Sequence, residues 1–157
     1  MTGLAGPRFW EAILAVESAR CARYARPATV VLAALVGLDR AGDEGAPQAA
    51  AVANRAIAAA ARVLEADSRS SDYLARLGRD RFGLILTETS EIAATNFVER
   101  VRERCERALA GGAGIAFGWA GATAAQTLVE AVAVAEGRLQ RERAVREPPD
   151  GDAPASG

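Results

Sequence analysis

The chain has no histidine and no lysine. Without imidazole there are no Ser-His or Cys-His nucleophile pairs, no histidine-ligated metals and no imidazole general base. Cysteine is scarce. Cys21 and Cys105 stand far apart, form no CxxC or zinc spacing, and fall in predicted helices as small, buried or half-buried residues. No apolar run approaches the roughly 18 residues a membrane span needs. A basic segment followed by an apolar run, the mark of a signal peptide, is missing from the first residues, so the expected location is cytoplasmic. Net charge is −1, which gives no reason to expect DNA or RNA as a partner.

What is present is a chain of 157 residues, half of them apolar, the size of one domain with a core. All 19 basic residues are arginines, and alanine is abundant, a composition that looks like codon usage and lowers the weight of any single arginine. Pro7 to Tyr24 has helical spacing of Trp10, Ile13, Leu14, Val16 and Tyr24, with proline tolerated in the first turn. Ala28 to Val36 is a near-continuous apolar run bounded by Pro27 and Gly37, a buried central strand. Gln48 to Leu64 is an alanine-rich helix after a polar loop from Gly37 to Pro47. Asp72 to Leu77 and Phe82 to Leu86 are short strands around a hairpin turn. Thr89 to Leu109 is a helix capped by Thr89 or Ser90, with an arginine-rich last turn that suits the helix dipole. Gly114 to Ala120 is a further strand, and Ala124 to about Arg146 a last helix. The order predicts an α+β fold: a ferredoxin-like βαββαβ core with added helices and a mixed, largely antiparallel sheet. The tail from 147 to 157 has nothing to bury and is expected to be disordered.

Leu77-Gly78-Arg79-Asp80-Arg81-Phe82 resembles the signature hairpin of the GGDEF family, the diguanylate cyclases, with two of its five letters replaced by arginine. Upstream, Arg69-x-x-Asp72 matches that family's separate product-binding motif at its usual five-residue gap. Thr2-Gly3-Leu4 with Pro7-Arg8, Ala22 to Pro27, Val98 to Arg102 and Ile115 to Ala120 resemble further family segments in the right order. The resemblance therefore implies a degenerate GGDEF-like domain over 1–146. Family members usually carry a sensory or receiver domain upstream. The expectation here is a domain that stands alone or one excised from a longer chain.

The resemblance also says what the chemistry needs. The family joins two GTP molecules held on two facing domains, and its magnesium ions sit on an Asp-x-Asp ending the first strand and on the acidic fourth letter of the hairpin. Here the strand reads Ala34-Leu35-Val36 and the fourth letter is Arg81. Arg79 replaces the second glycine, where the family keeps backbone clear for nucleotide. Gly42 and about Ala51 stand where the guanine-reading asparagine and aspartate are expected. Asp80 remains, with Asp39 and Asp43 in the neighbouring loop. One stray carboxylate does not hold two magnesium ions, on which nucleotidyl transfer depends. The expectation is no catalytic residues, no metal and no cofactor, magnesium entering only if the domain were an active cyclase. Gly42-Asp43-Glu44 spells part of the signature outside any hairpin and is a loop turn.

The product site looks retained. In the family, Arg-x-x-Asp and an arginine on the following helix bind an intercalated dimer of cyclic di-GMP, and Arg69, Asp72 and Arg100 occupy those positions. Arginine's planar fork suits guanine O6 and N7 or a phosphate, and a carboxylate accepts from guanine N–H groups. The same pair also suits a solvated turn in which Asp72 caps local backbone. The leading expectation is an inactive GGDEF-like domain that acts as a cyclic di-GMP receptor. Its homodimer would be linked to ligand, and its output would be a contact with an unidentified downstream protein. An active cyclase and a nucleotide-free dimerisation module are the two alternatives. Trp10 and Trp119 are expected to pack between helix and sheet.

Overall fold

Nine consecutive buried residues, Ala28–Val36, form the central strand β1 of the computed structural model, which describes residues 4–38, 46–109 and 112–146. Burial on both faces is what a run without polar alternation requires. The other strands are β2 (Tyr73–Arg76), β3 (Arg81–Thr87) and β4 (Gly114–Gly121), in the order β2-β3-β1-β4 with every pairing antiparallel. In β1, Val31, Ala33 and Leu35 face a core shared with helices α2 (Ala46–Asp67) and α3 (Glu91–Ala108). Val30, Leu32, Ala34 and Val36 face the opposite core, covered by α1 (Pro7–Tyr24) and α4 (Leu128–Arg146). The βαββαβ core thus keeps its two helices on one face, as the sequence predicts, and the two added helices close the other.

The helix ends follow local chemistry. Pro7 sits in the first turn of α1, and Ser90 Oγ accepts from Ala93 N–H at the start of α3. Helix α4 starts at Leu128 rather than Ala124. Thr127 Oγ1 accepts from Glu130 N–H at 3.0 Å and Glu130 Oε1 accepts from Thr127 N–H at 2.8 Å, a reciprocal capping box that fixes the start. Ahead of it, Thr123 and Gln126 pair through their backbones in a tight turn. Gly118 of β4 lies under α4, where an added Cβ would sit 2.1 Å from Ala135 O and 2.3 Å from Leu139 N. Only glycine permits that approach. Trp10 packs in the core beneath α1, and Trp119 is partly buried against the opposite core.

Both edges of the sheet are covered. On the β2 edge, Ala5 forms a single parallel bridge with Ala75, its carbonyl accepting from Arg76 N–H at 2.8 Å. On the β4 edge, Phe117 N–H donates to Glu142, Arg138 donates to Trp119 O at 2.7 Å, and Gly121 N–H donates to Glu91 at 3.1 Å. The tail from 147 to 157, the loop carboxylates Asp39 and Asp43, and Gly42-Asp43-Glu44 lie outside the described residues.

Candidate functional site

The hairpin joining β2 to β3 is tied down at its base and tip. Leu77 N–H donates to Arg81 O at 2.9 Å, and Leu35 N–H of β1 donates to Asp80 O at 2.9 Å. Arg76 braces the turn by donating to Gly78 O at 3.0 Å and Arg79 O at 2.7 Å. Gly78 and Arg79 are exposed, and Phe82 is fully buried in the core. Strand register sets Arg81 directly opposite Ala34, so the two replaced positions are neighbours in space. The Arg81 guanidinium forms an ion pair with Glu136 of α4. Burial alone would raise the Glu136 carboxyl. Hydrogen bonds from Arg81 and Gln140, with the charges of Arg81 and Arg143, outweigh it and hold Glu136 below the ordinary carboxylate value.

A divalent magnesium ion needs several hard oxygen ligands in one place. The described residues do not offer them at this site. Ala34 is a buried methyl group, Arg81 is a cation, and Glu136 is committed to Arg81. Among the described residues no three His, Cys, Asp or Glu side chains gather in a metal-binding cluster. Ala51, one of the two positions where the sequence lacks a guanine-reading side chain, is exposed on α2.

The Arg69 turn, between α2 and β2, is built differently. Arg69 Nη2 donates to Thr87 O at 3.0 Å and to Thr89 Oγ1 at 2.6 Å, while 58% of its side chain remains exposed. Thr89 Oγ1 also donates to Thr87 O, and Thr89 O accepts from buried Thr29 Oγ1, so the support is itself anchored to β1. The Asp72 side chain is only 2% exposed, and Arg69 Nε lies 3.5 Å from its Oδ2. Its Oδ2 accepts from Arg69 N–H at 2.9 Å and its Oδ1 from Thr87 N–H at 3.2 Å. The motif's carboxylate therefore locks the turn against β3, and its guanidinium points a supported, partly free fork toward solvent. Asp72 lies ahead of β2 rather than within it because these bonds hold it in the turn.

Arg100 is exposed on α3, its guanidinium 5.7 Å from the Phe97 ring centroid. It shares a helix face with Arg104, one turn on. Arg104 reaches Asp67 Oδ1 at the end of α2 at 3.0 Å, two residues before Arg69. Arg69, Arg100 and Arg104 thus border the surface where the α2–β2 turn meets α3, although Arg69 and Arg100 are not in contact. Burial pushes the neighbouring Cys105 thiol up to about 12, with the charges of Asp67 and Glu106 adding to it. Clefts of about 530, 450 and 430 Å³ open elsewhere, and none of the three is lined by Arg69, Asp72 or Arg100.

Sequence reasoning missed Glu136, Thr87, Thr89 and Asp67. Arg81 and Glu136 stand 55 residues apart, and Arg69 and Thr89 stand 20 apart. No local spacing announces either pair. The one available signal was that a cation bordering a buried strand end needs a carboxylate partner.

Comparison with known proteins agrees with this geometry. The family model for "Diguanylate cyclase, GGDEF domain" matches residues 1–113. The probable diguanylate cyclase DgcC of Escherichia coli strain K12 is 32% identical over 103 residues, 66% of this chain, and the chain spans 27% of that protein's length. Among solved structures, the coiled coil and GGDEF domain of DgcB from Caulobacter crescentus, in complex with c-di-GMP, superposes with a TM-score of 0.81 at 14% identity, covering 93% of this chain and 80% of that one. Diguanylate cyclase SiaD from Pseudomonas aeruginosa, in complex with its activator SiaC, gives 0.78 at 22% identity, covering 92% and 56%. The FimX GGDEF domain from Pseudomonas aeruginosa gives 0.79 at 15% identity, covering 90% of each chain. With its hairpin, strand order and helices in the family's arrangement, this chain belongs to the GGDEF domain family.

Proposed function

We propose that this GGDEF domain does not synthesise cyclic di-GMP and instead binds it, through Arg69 and Arg100, where the α2–β2 turn meets α3. The observation that carries the reading is the state of Arg69. Its Nη2 is held by Thr87 O and Thr89 Oγ1, its Nε lies 3.5 Å from Asp72 Oδ2, and the side chain is still 58% exposed, which leaves part of the fork to meet a guanine edge or a phosphate. Holding the group in place before binding removes much of the ordering cost. Asp72 acts as a positioning residue, because both its oxygens already accept backbone N–H groups. A stacked nucleotide dimer can be shared between two copies of the domain, so ligand-linked homodimerisation belongs to the same reading. Binding needs no metal, and the output is a contact with a downstream protein altered by ligand. The reading places the domain in the cytoplasm, and no helix among the described residues is long and apolar enough to cross a membrane. The loss of catalysis rests on Arg81 and Ala34 standing together where carboxylates would hold the metal.

Calorimetric titration of cyclic di-GMP into the full chain tests the receptor. Saturable binding near two nucleotides per chain, abolished in Arg69→Ala, is expected. Incubation with GTP and magnesium at high protein concentration tests the enzyme, with no cyclic di-GMP or pyrophosphate expected. One observation favours the alternative of a nucleotide-free interaction module. The near-complete burial of Asp72 is what a purely structural turn would show. Absence of heat from folded wild-type protein would select that alternative.

A further inference from the structure

A cleft of about 450 Å³ opens beside β4, between α3 and α4, and neither the hairpin nor the Arg69 turn contributes to it. Phe117 and Trp119 line it from the strand, two residues apart and so on one face. One wall comes from the first turn of α3, where Ile92 stands. The other comes from α4, where Arg138 and Arg141 lie one turn apart. Aromatic side chains with a few polar groups around them are the usual make-up of a binding site.

The carboxylates of this cleft are already engaged. Glu91 accepts from Gly121 N–H at 3.1 Å and pairs with Arg138 at 3.0 Å. Glu142 accepts from Phe117 N–H and takes both Nη atoms of Arg102, at 2.9 and 2.8 Å. Arg138 also donates to Trp119 O at 2.7 Å. Arg141 differs. It is exposed, and among the described residues it has no hydrogen bond or ion pair. Ile92, on the α3 wall, is 84% exposed.

A large aliphatic side chain left in water, in the same cleft as an unpaired cation, gains most from an apolar group with a carboxylate next to it. Tryptophan and arginine are also the side chains that most often anchor protein interfaces. With Ile92 and Arg141 both standing out in solvent, the contact extends past the cleft, as a protein partner requires and a small molecule does not. Strand addition is blocked, because backbone groups of the β4 edge already bond to Glu142, Arg138 and Glu91. The occupant is therefore read through its side chains.

We propose that this cleft is a docking site for a partner protein, taking a segment in which an aromatic or large aliphatic side chain stands next to an aspartate or glutamate. The apolar group packs on Trp119 and Ile92, and the carboxylate pairs with Arg141. Taking this contact as the output of the domain rests on the receptor reading above; occupation of the cleft does not.

The probe is a displayed library of short random peptides, selected on the full wild-type chain and counter-selected on a variant carrying Ile92→Ala and Arg141→Ala. Both residues are exposed, so that variant is expected to melt like wild type. A selected peptide is then titrated into isotope-labelled protein and followed by NMR. The chain has two tryptophans, so the Trp119 indole N–H reports the cleft and Trp10, in the opposite core, serves as an internal reference. Selected peptides are expected to carry an acidic residue beside a large apolar one, and to shift the Trp119 signal while Trp10 stays in place. Affinity should fall about tenfold or more in Arg141→Ala, and as much when the peptide's acid is replaced by its amide, as loss of a charge-assisted hydrogen bond implies. No peptide favouring wild type over the variant overturns the inference. So do peptides that leave Trp119 unmoved, or that bind Arg141→Ala as tightly as wild type. None of these outcomes bears on the calorimetry of cyclic di-GMP, whose failure would remove the receptor reading and leave the docking site standing.

Discussion

The hairpin at Gly78–Phe82 and the turn at Arg69–Asp72 each present arginine near a carboxylate, with opposite results. At the hairpin, Arg81 is paired with Glu136 from a distant helix, only 29% of the cation's side chain is exposed, and its charge is used up inside the protein. At the turn, Arg69 Nε lies 3.5 Å from Asp72 Oδ2, the Asp72 oxygens also accept backbone N–H groups, and the Arg69 side chain stays twice as exposed, its Nη2 held by Thr87 O and Thr89 Oγ1. A guanidinium neutralised by a partner closes a site. On the proposed reading, the longer pair and greater exposure of Arg69 leave part of its fork to a ligand. The contrast lies in how closely each arginine is paired and how far it is buried, not in the number of arginines.

The sharpest way to break this contrast is to remove one arginine from each region. Arg69→Ala should weaken cyclic di-GMP binding by about 10- to 100-fold, the range expected for charged hydrogen bonds, with the melting temperature nearly unchanged. Arg81→Ala should leave affinity within about twofold and lower stability instead. Equal losses of affinity in both variants would dissolve the distinction.

Asp72→Asn comes next in size. Its amide cannot accept two backbone N–H groups with two oxygens, so a buried donor is left unmet at a cost of about 1–3 kcal/mol. Chemical denaturation should show that loss, and calorimetry should show a fall in affinity that follows it. Affinity lost without stability would make Asp72 a ligand contact rather than a positioning residue.

A pH series sharpens the hairpin side. The folded-state value of Glu136 lies below its ordinary 4.5, so the ion pair's contribution is fully present above that value and is lost as pH falls through the folded one. In Arg81→Ala the contribution is already absent. Melting curves of wild type and variant should therefore differ near neutrality and converge in acid, as the pH falls through the lowered Glu136 value. Curves that stay parallel into acid would mean the pair does not matter. The smallest effect belongs to Thr89→Val, which removes one hydroxyl support from Arg69 and should weaken binding about threefold to tenfold by calorimetry.

Much of this was legible from residue order. The span of α1, the buried run of β1 and the helix cap at Ser90 follow from Pro7, from the unbroken apolar stretch and from a serine ahead of Glu91. The hairpin was readable because the motif is local, with Ala34 and Arg81 named before their register was known. Limits appeared where partners come from afar. The sequence placed Asp72 at the start of a strand, because nothing local shows that Thr87 N–H arrives from β3 to hold it in the turn. Glu136 was one acidic residue among many on a charged helix until α4 packed across β4 and brought it to Arg81. Asp67 lay beyond the helix end expected at Leu64, and its unpaired oxygen is a property of packing and not of spacing.

The closed edges of the sheet limit how copies of this domain can assemble. A neighbouring strand added at β4 would have to displace Glu142, Arg138 and Glu91 from backbone groups they already satisfy, and one added at β2 would have to displace Ala5. Growth by strand addition, the usual hazard of an open sheet, is thereby disfavoured at both ends. On the reading proposed above, copies meet through helix surfaces, and the arginines around Arg69 keep them apart until an anionic ligand lies between. Assembly of this domain should then report the concentration of a small negatively charged molecule rather than the concentration of the protein alone.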